Sequence, residues 1–472
     1  MYMRSTAALD LADLQGNILY GYRSLRYGRF LFFTYETAEA GRALLGQLVP
    51  LVTSAKHHAH RAAQNGKLDC AVNVALSFAG LSALGLPRES LVSFPAPFQD
   101  GMRARAASLG DTGDEAPQNW DQPWRDGVPL LVMVYGQTPD QVEAQCDAIL
   151  RAAPDGVAQL GPAQDVAVLP SPDGQRREHF GFVDGLSNPA VEGFARGRDV
   201  GNPDDRGGFR PVALGEFILG YPDEGHETSE MPLPHLIGRN GTFLVARKLH
   251  QHVARFRGYV AEQAKLMARV LPQADQDHAA AQDYVAAKMV GRWKDGTSLV
   301  RSPVEAHAAD QMNSFAYGDD PEGARCPLGA HVRRAYPRDA LGFGAIVARR
   351  RLIRRGIPYG ELLAEGQVED DRQQRGIMFL AYNASIERQF EFVQQQWINA
   401  GDEFEQGNLV DPITGSPRGP NRLMIAGDAR DGRPPFLCHG MPRFVSTRGG
   451  EYFFVPGLTA LRLMASGEVV VA

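Results

Sequence analysis

The sequence is poor in cysteine and has no long apolar run. Its 472 residues include four widely spaced cysteines, which form no CxxC pair: Cys70, Cys146, Cys326 and Cys438. Such spacing is typical of reduced, structural thiols. No apolar stretch approaches the length of a membrane span, and the N-terminal segment MYMRSTAALDLADLQGNI lacks the apolar part of a signal peptide. We therefore expect a cytoplasmic protein that does not enter a membrane.

An excess of one charge is also missing. Lys and Arg number 49 and Asp and Glu number 55, which gives a net charge of −6. Nucleic-acid binding therefore has no general electrostatic support. No segment has the GxGxxG or GxxxxGK[ST] spacing of nucleotide-binding loops. The neighbouring His57, His58 and His60 lack the acidic or cysteine partners of a zinc site.

Strand-then-helix units recur along the chain. Residues 29–35 precede a helix with three leucines, residues 72–78 alternate as a half-buried strand would, and residues 130–136 precede a helix that Thr138 caps. The segments GTFLVARK and GIMFLAY each precede an apolar stripe at helical spacing. After GTFLVARK the stripe is Leu249, Val253, Phe256 and Val260, and after GIMFLAY it is Ile386, Phe390, Val393 and Trp397. Repeated units of this kind predict an α+β fold with helices packed on sheets.

Three long polar segments interrupt this pattern. Residues 99–127 are too many for a simple connector, so we expect them to wrap the surface or cover a site. The Gly, Pro and Asp cluster at 196–211 predicts a boundary between an N-terminal domain, 1–205, and a C-terminal domain, 206–472. A further loop spans 400–421.

The residues that could carry chemistry lie in three motifs. HFGFVDGLSNP places Asp184 between glycines, in a stretch where an unpartnered acid would be costly. CPLGAHVRRAYPR contains His331, and LIRRGIPYG contains Arg354 and Arg355. Together and in this order the motifs resemble the dye-decolorizing peroxidases, haem enzymes that oxidise bulky compounds with hydrogen peroxide. DLQGNILYGY, LGEFILGYPDE, IGRNGTFLVARKLHQHV and GIMFLAYNASIERQFEFVQQQW extend the resemblance over nearly the whole chain.

The resemblance implies a fold and a cofactor. The fold is two ferredoxin-like halves, each an antiparallel sheet with helices packed on it, with haem between the sheet and the helices of the C-terminal half. The absence of CxxCH excludes covalent attachment, so we expect one non-covalent haem b per chain. The length and the missing signal peptide resemble the long, cytoplasmic bacterial members.

His331 is the candidate iron ligand, because a neutral imidazole is the usual axial ligand of peroxidase haem. Small residues before it would let a flat macrocycle approach, and Arg333 and Arg334 after it could pair with the haem propionates. A capping or core role for His331 is the alternative. Ligation by a Cys326 thiolate is another, although its surroundings lack the usual thiolate–haem pattern.

Asp184 and Arg354 are the candidate catalytic residues. A carboxylate can move a proton between the two oxygens of peroxide, which favours activity at acidic pH. The alternative is that Asp184 caps the turn that follows it. A guanidinium can stabilise the negative charge on the departing oxygen, and only one of Arg354 and Arg355 can face that site, because neighbours on a strand point to opposite faces. The alternative is an arginine cluster that is solvated or paired with propionates.

Other residues are expected around the cofactor. The resemblance implies an acceptor for the second N–H of His331 near the start of the last apolar-striped helix, and Glu387 is the candidate, since Ser385 stands where many relatives carry Asp. Phe379 and Ile377 would line the open face or belong to the core. Electrons could enter through an aromatic side chain at the surface, with six candidates: Trp120, Trp124, Trp293, Trp397, Tyr317 and Tyr336.

The function that follows is a peroxidase that uses hydrogen peroxide to oxidise aromatic, phenolic or dye-like reductants in one-electron steps. The first alternative is a haem-handling protein, for transport or iron release, with incidental peroxidase activity. The second is a structural or cargo protein without cofactor. A homo-oligomer and packaging into a protein shell stay open at this stage.

Overall fold

The structure is a computed structural model, and it describes residues 9–64, 66–194, 202–203, 208–270, 278–307, 313–342, 344–417, 419–427 and 434–470. The strands in these ranges are β1 Tyr27–Tyr35, β2 Cys70–Leu76, β3 Leu130–Gly136, β4 Val157–Gln159, β5 Gln164–Ala167, β6 Asn202–Pro203, β7 Phe209–Arg210, β8 Thr242–Gln251, β9 Ile353–Arg354, β10 Ile357–Tyr359, β11 Gly376–Asn383, β12 Asn421–Ile425, β13 Phe436–Met441 and β14 Val445–Val455.

The α-helices are α1 Gly16–Leu19, α2 Ala38–Leu48, α3 Ala55–Ala63, α4 Phe78–Ala83, α5 Arg88–Val92, α6 Ala96–Arg105, α7 Pro139–Ala152, α8 His235–Gly238, α9 Val253–Val270, α10 His278–Val290, α11 His331–Ala335, α12 Gly344–Ala348 and α13 Leu458–Ser466. Two π-helical segments span Glu387–Glu391 and Val393–Ile398. Short 3₁₀ turns span Val49–Leu51, Gly113–Glu115, Pro117–Asn119, Leu214–Glu216 and Asp402–Phe404.

Ten strands form one antiparallel sheet in the order β10-β11-β8-β14-β2-β3-β1-β4, with β5 also on β1 and β9 on β11. The pairs β12–β13 and β6–β7 lie outside it. The two ferredoxin-like halves therefore share a sheet, and the predicted α+β fold with antiparallel strands and packed helices is confirmed. The two halves of the sheet are joined where Phe454 of β14 pairs with Leu76 of β2.

The strand–helix units form as their sequences indicate, with one difference. In α2, Leu44, Leu45 and Leu48 face the core, and in α7 Thr138 and Gln141 form a capping box. The strand β2, however, is buried along both faces rather than half-buried. It lies between β14 and β3 with helices over the sheet, so its apparently outward positions also meet other side chains.

The C-terminal end of the chain completes the N-terminal half. The strand β14 lies between β8 and β2, and α13 packs on α2. The predicted domain boundary at residue 205 lies outside the described residues, so the division into 1–205 and 206–472 stays a prediction.

The last apolar-striped segment differs from its prediction. The residues after β11 form the two π-helical segments instead of an α-helix. Ile386, Phe390, Val393 and Trp397 are nevertheless all buried. In the other such unit, Leu249 belongs to β8, and the helix starts at Val253.

Candidate active site

A cavity of about 320 Å³ lies between the sheet and the helical segments of the C-terminal half. Its sheet wall comes from alternate residues of three neighbouring strands: Arg247, Leu249 and Gln251 of β8, Ile377 and Phe379 of β11, and Val445 and Thr447 of β14. Alternate residues share one face of a strand, so the register of the strands brings them together. Its opposite wall includes α11 and the second π-helical segment.

His331 is the first residue of α11 and lines this cavity, with 28% of its side chain exposed. Its Nδ1 lies 2.9 Å from Oδ2 of Asp411, whose side chain is fully buried. Burial lowers the pKa of His331, but the charge and hydrogen bond of Asp411 outweigh burial and raise it above its usual value. With Nδ1 engaged, Nε2 is the nitrogen left to bind a metal.

Asp411 is itself held in place by backbone N–H groups. Those of Ile413 and Thr414 donate to its Oδ1 at 2.9 and 2.8 Å, which leaves Oδ2 for His331. Burial would raise the pKa of Asp411, yet its interaction with His331 and with these donors keeps the pKa below its usual value. The carboxylate is therefore charged and fixed in orientation behind the imidazole.

The prediction of Glu387 as this acceptor is wrong. Glu387 begins the first π-helical segment and is exposed, whereas Asp411 comes from the loop at 400–421. Sequence reasoning missed Asp411 because no periodicity marks a residue in a loop. The available signal was the Asp-Pro pair, which is typical of a turn. The acid in such a turn can accept hydrogen bonds from the N–H groups of two residues that follow it.

Asp184 and Arg354 also line the cavity. Oδ1 of Asp184 lies 3.8 Å from Nη1 of Arg354, and their side chains are 39% and 36% exposed. The backbone N–H of Asp184 donates to the carbonyl oxygen of Arg176 at 3.0 Å, which fixes the segment. Gly185 has a φ of 79°, a conformation that favours glycine, and its N–H donates to Asp184 Oδ1 at 2.6 Å. Among the described residues, no later N–H of the turn donates to this carboxylate.

Arg355 points away from the cavity, as expected for the neighbour of Arg354 in an extended segment. Its Nε and Nη2 donate to the carbonyl oxygens of Asn17 and Ile18 at 2.9 and 3.0 Å. Arg355 therefore ties this segment to α1 and does not line the His331 cavity, whereas Arg354 does.

Arg333 and Arg334 do not face the cavity, contrary to the prediction that they bind propionates. Arg333 pairs with Asp320 at 3.1 Å and lies over the ring of Tyr317. Arg334 donates to three backbone carbonyl groups, those of Trp397, Ala400 and Leu409. Both side chains are fully buried, because the single turn of α11 directs His331 toward the cavity and the next two arginines into the protein core.

Other donors in the wall suit the carboxylates of a haem. Arg350, Arg351 and Trp397 line the cavity. Nε of Arg350, Nη1 of Arg351 and Nε1 of Trp397 are buried and have no hydrogen-bond partner among the described residues. Buried N–H groups without acceptors are costly, and an anionic ligand would satisfy them. An apolar wall with Phe379 and Phe390, the half-buried imidazole of His331 and these donors fit a haem with its propionates.

The polar segment 99–127 covers one end of this cavity. Asp111 and Glu115 contribute to the lining and are buried in ion pairs with Arg247 and Arg443. The prediction that the segment covers a site thus agrees with its position. Its Trp124 packs edge-on against Phe32 at 5.1 Å between ring centroids.

The six aromatic candidates for electron entry are all buried. Their exposed fractions are between 1% and 8%, and Trp397 and Tyr336 line the cavity instead of the surface. None of the tryptophan or tyrosine side chains in the described ranges is exposed. The expectation of a surface aromatic among Trp120, Trp124, Trp293, Trp397, Tyr317 and Tyr336 is therefore wrong for the folded chain.

Comparisons with known proteins match the two halves of this architecture. The family model described as "DyP dimeric alpha+beta barrel domain" matches residues 13–164, and "Dyp-type peroxidase, C-terminal" matches residues 237–416. The dye-decolorizing peroxidase msp1 of Mycetinis scorodonius is 32% identical over 98% of this chain and 89% of its own length. The chain belongs to the dye-decolorizing peroxidase family.

Further relatives support membership of this family. The multifunctional dye peroxidase DyP2 of an Amycolatopsis strain is 29% identical over 97% of this chain and 96% of its own. A solved ancestral D-type dye-decolorizing peroxidase superposes with a TM-score of 0.81 at 29% identity, covering 97% of this chain and 99% of that one. A dye-decolorizing peroxidase in complex with 2,6-dimethoxyphenol superposes with a TM-score of 0.80 at 28% identity, covering 97% and 100%.

These relatives include fungal as well as bacterial proteins, so similarity is not restricted to the bacterial members that the sequence resembles. The chain is an oxidoreductase: a haem peroxidase that reduces hydrogen peroxide and oxidises phenolic or dye-like compounds. Within the described residues, no helix is both long and apolar enough to cross a membrane.

Proposed function

We propose that His331 would bind the iron of one non-covalent haem b per chain, that Asp184 moves the proton of peroxide, and that Arg354 stabilises the developing negative charge. The observation that carries this proposal is that all three side chains line one cavity, with Asp411 behind His331 and Arg354 beside Asp184. Haem, when bound, would supply the iron that takes oxidising equivalents from peroxide and passes them on singly.

The side chains divide the remaining work. Asp411 holds the imidazole in the tautomer that presents Nε2, and its negative charge increases the basicity of that nitrogen. Asp184 can accept a proton from one oxygen of peroxide and return it to the other, which leaves as water. The guanidinium of Arg354 supplies a positive charge near that oxygen.

The cofactor environment supports non-covalent binding. The apolar wall contributed by Ile377, Phe379 and Phe390 would contact the macrocycle, and Arg350, Arg351 and Trp397 would bind its propionates. The four cysteines are free thiols, three of them buried, which supports a reducing compartment such as the cytoplasm. Haem handling without peroxide turnover is less well supported, because it needs neither Asp184 nor Arg354.

The Asp184→Asn substitution tests the proposal. We expect haem content and spectrum to be unchanged and the peroxide-dependent oxidation of a neutral phenol to fall by about 10² to 10⁴-fold, the range typical of a lost general acid–base. Asp155→Asn, an exposed acid away from the cavity, is the matched control. A variant that keeps its rate within twofold would remove Asp184 from the mechanism.

A further inference from the structure

The guanidinium of Arg354 is not held in place by hydrogen bonds of its own. It donates to no group of the described residues, and its Nη1 lies 3.8 Å from Oδ1 of Asp184, which is beyond hydrogen-bond distance. A long side chain that is 36% exposed keeps much of its rotational freedom. The position of the guanidinium relative to Asp184 therefore depends on how the backbone of Arg354 is fixed.

The backbone of Arg354 lies at an open edge of β9. The N–H of the next residue, Arg355, donates to the carbonyl oxygen of Leu380 in β11 at 2.7 Å. Successive N–H groups of an extended chain point to opposite sides, so the N–H of Arg354 points away from β11. An N–H at the edge of a strand needs an acceptor from another part of the chain or from solvent.

The acceptor for this N–H is the side chain of Asn188. Its Oδ1 accepts the N–H of Arg354 at 2.8 Å. Asn188 belongs to the same motif as Asp184, HFGFVDGLSNP, and follows it in the turn. The hydrogen bond therefore links the backbone segments that carry the two proposed catalytic side chains.

Asn188 is itself restrained by the residues that follow it. Pro189 comes next, and a residue before proline is largely restricted to extended conformations. Beyond the proline, the N–H of Val212 donates to the carbonyl oxygen of Ala190, and the N–H of Glu192 donates to that of Val212, both at 2.8 Å. A shift of Asn188 would disturb this pairing, so its side chain is a firm point of attachment.

Separate groups hold the residue before Asn188. The carbonyl oxygen of Ser187 accepts a hydrogen bond from Nη2 of Arg351 at 2.7 Å, and its hydroxyl group accepts one from Nη2 of Arg292 at 3.0 Å. Both arginines are buried. These bonds fix the turn, whereas the bond from Asn188 fixes the backbone of Arg354 relative to the turn.

We propose that Asn188 is a positioning residue, whose side-chain oxygen fixes the backbone of Arg354 and so keeps the guanidinium beside Asp184 in the cavity. The inference rests on the proposed function, because Asn188 acts on peroxide only through Arg354. Misplacing a group by about 1 Å can cost about 100-fold in rate. Loss of the acceptor should therefore slow the step that uses peroxide and leave the later oxidation of the reductant unchanged.

Hydrogen exchange of the haem-free protein tests the tether directly. Asn188→Leu removes the acceptor at a similar side-chain size, and Asn188→Asp keeps an acceptor oxygen. We expect the amide hydrogen of Arg354 to exchange about fivefold faster or more in the Asn188→Leu protein, and at close to the wild-type rate in the Asn188→Asp protein. The amide of Arg355, which donates to Leu380, is the internal control and should keep its rate. Mass spectrometry of overlapping peptides from residues 350–358 measures both amides.

Steady-state kinetics of the haem-loaded protein test the consequence for the reaction. In Asn188→Leu we expect kcat/KM for hydrogen peroxide to fall about 10 to 100-fold, while kcat/KM for a neutral phenol and the haem content stay within twofold. Asn188→Asp should restore most of the peroxide kcat/KM. Asn408→Leu, at an exposed asparagine that does not line the cavity, is the matched control and should behave as the wild type does. An equal fall for both substrates would show a general structural role and overturn the inference.

The remaining outcomes separate the tether from the proposed function. If the Asn188→Leu protein does not fold, Asn188→Ala removes the same acceptor with a smaller side chain and should give the same two results. Unchanged exchange at Arg354, or faster exchange with unchanged peroxide kinetics, would overturn the inference. A wild-type protein without peroxide turnover would reject the proposed function, while faster exchange at Arg354 in the variants would still support the tether.

Discussion

His331 depends on a single carboxylate for its orientation. Asp411→Asn keeps the shape of that partner but removes the charge that raises the pKa of the imidazole. We expect haem affinity to fall about 10 to 100-fold, the usual effect of losing a group that orients a metal ligand. Haem titration followed by absorbance measures it. Glu387→Gln is the matched control, and an equal loss in the control would restore Glu387 as a partner.

The environment of a second residue, Glu178, predicts that stability depends on pH. Glu178 is half-buried on the cavity wall, and its removal from solvent raises its pKa to about 7 in spite of hydrogen bonds from the N–H groups of Phe180 and Phe182 and from Gln251. The folded protein therefore binds the Glu178 proton more tightly than the unfolded chain does. Stability is then greatest below the unfolded pKa of about 4.5 and is lost as pH rises through 7.

The Glu178→Gln substitution should remove this dependence. For haem-free protein, we expect the wild-type free energy of unfolding to decrease between pH 4.5 and 7 by up to about 3 kcal/mol more than that of the variant. Urea unfolding at several pH values measures both. Glu365→Gln, at an exposed position, should retain the wild-type slope. Parallel slopes in the Glu178 variant and the wild type would contradict the assignment.

At the scale of elements, β14 contains an irregularity that fits the covering segment. Its pairing with β8 shifts between Thr447 and Gly449, and a Cβ at Gly449 would lie only 2.3 Å from Cγ of Trp124. The indole of Trp124 can therefore pack against β14 at this position because Gly449 has no side chain. This contact holds residues 99–127 over the cavity, since Trp124 is almost fully buried.

Gly449→Ala should destabilise the protein by about 1 to 3 kcal/mol, because the backbone or the indole must move. Gly46→Ala is the control, since Gly46 is exposed in α2 and nothing lies near the added Cβ. There we expect no loss and a gain of about 0.5 to 1 kcal/mol, from better helix propensity. Thermal unfolding of both variants gives the comparison, and equal stability of the two would refute this role of Gly449.

At the scale of the molecule, the two halves should unfold together. The strand β14 belongs to the sheets of both halves, and Phe454 at the joint is fully buried against Phe94 and Phe243. We expect urea unfolding of the haem-free chain to give one transition, coincident by tryptophan fluorescence and far-ultraviolet circular dichroism. Phe454→Ala should shift both probes equally and cost about 3 to 5 kcal/mol. Two separated transitions would show that the halves are independent.

The sequence by itself determined the fold class, the strand–helix units and the three motifs around Asp184, His331 and Arg354. These features are local, because apolar periodicity, capping residues and glycines can be recognised within a few positions of the sequence. The resemblance also favoured Arg354 over Arg355, since only one of two neighbouring residues in an extended segment can face the cavity.

The partners of these site residues follow only from the tertiary structure. Asp411 reaches His331 from 80 residues away, and the donors of Arg350 and Trp397 meet at one cavity through packing that no local pattern records. For the same reason Arg333 and Arg334, close to His331 in sequence, point into the core. Contacts between distant segments depend on strand order and register, because a strand's neighbours, and not its own residues, decide what faces it.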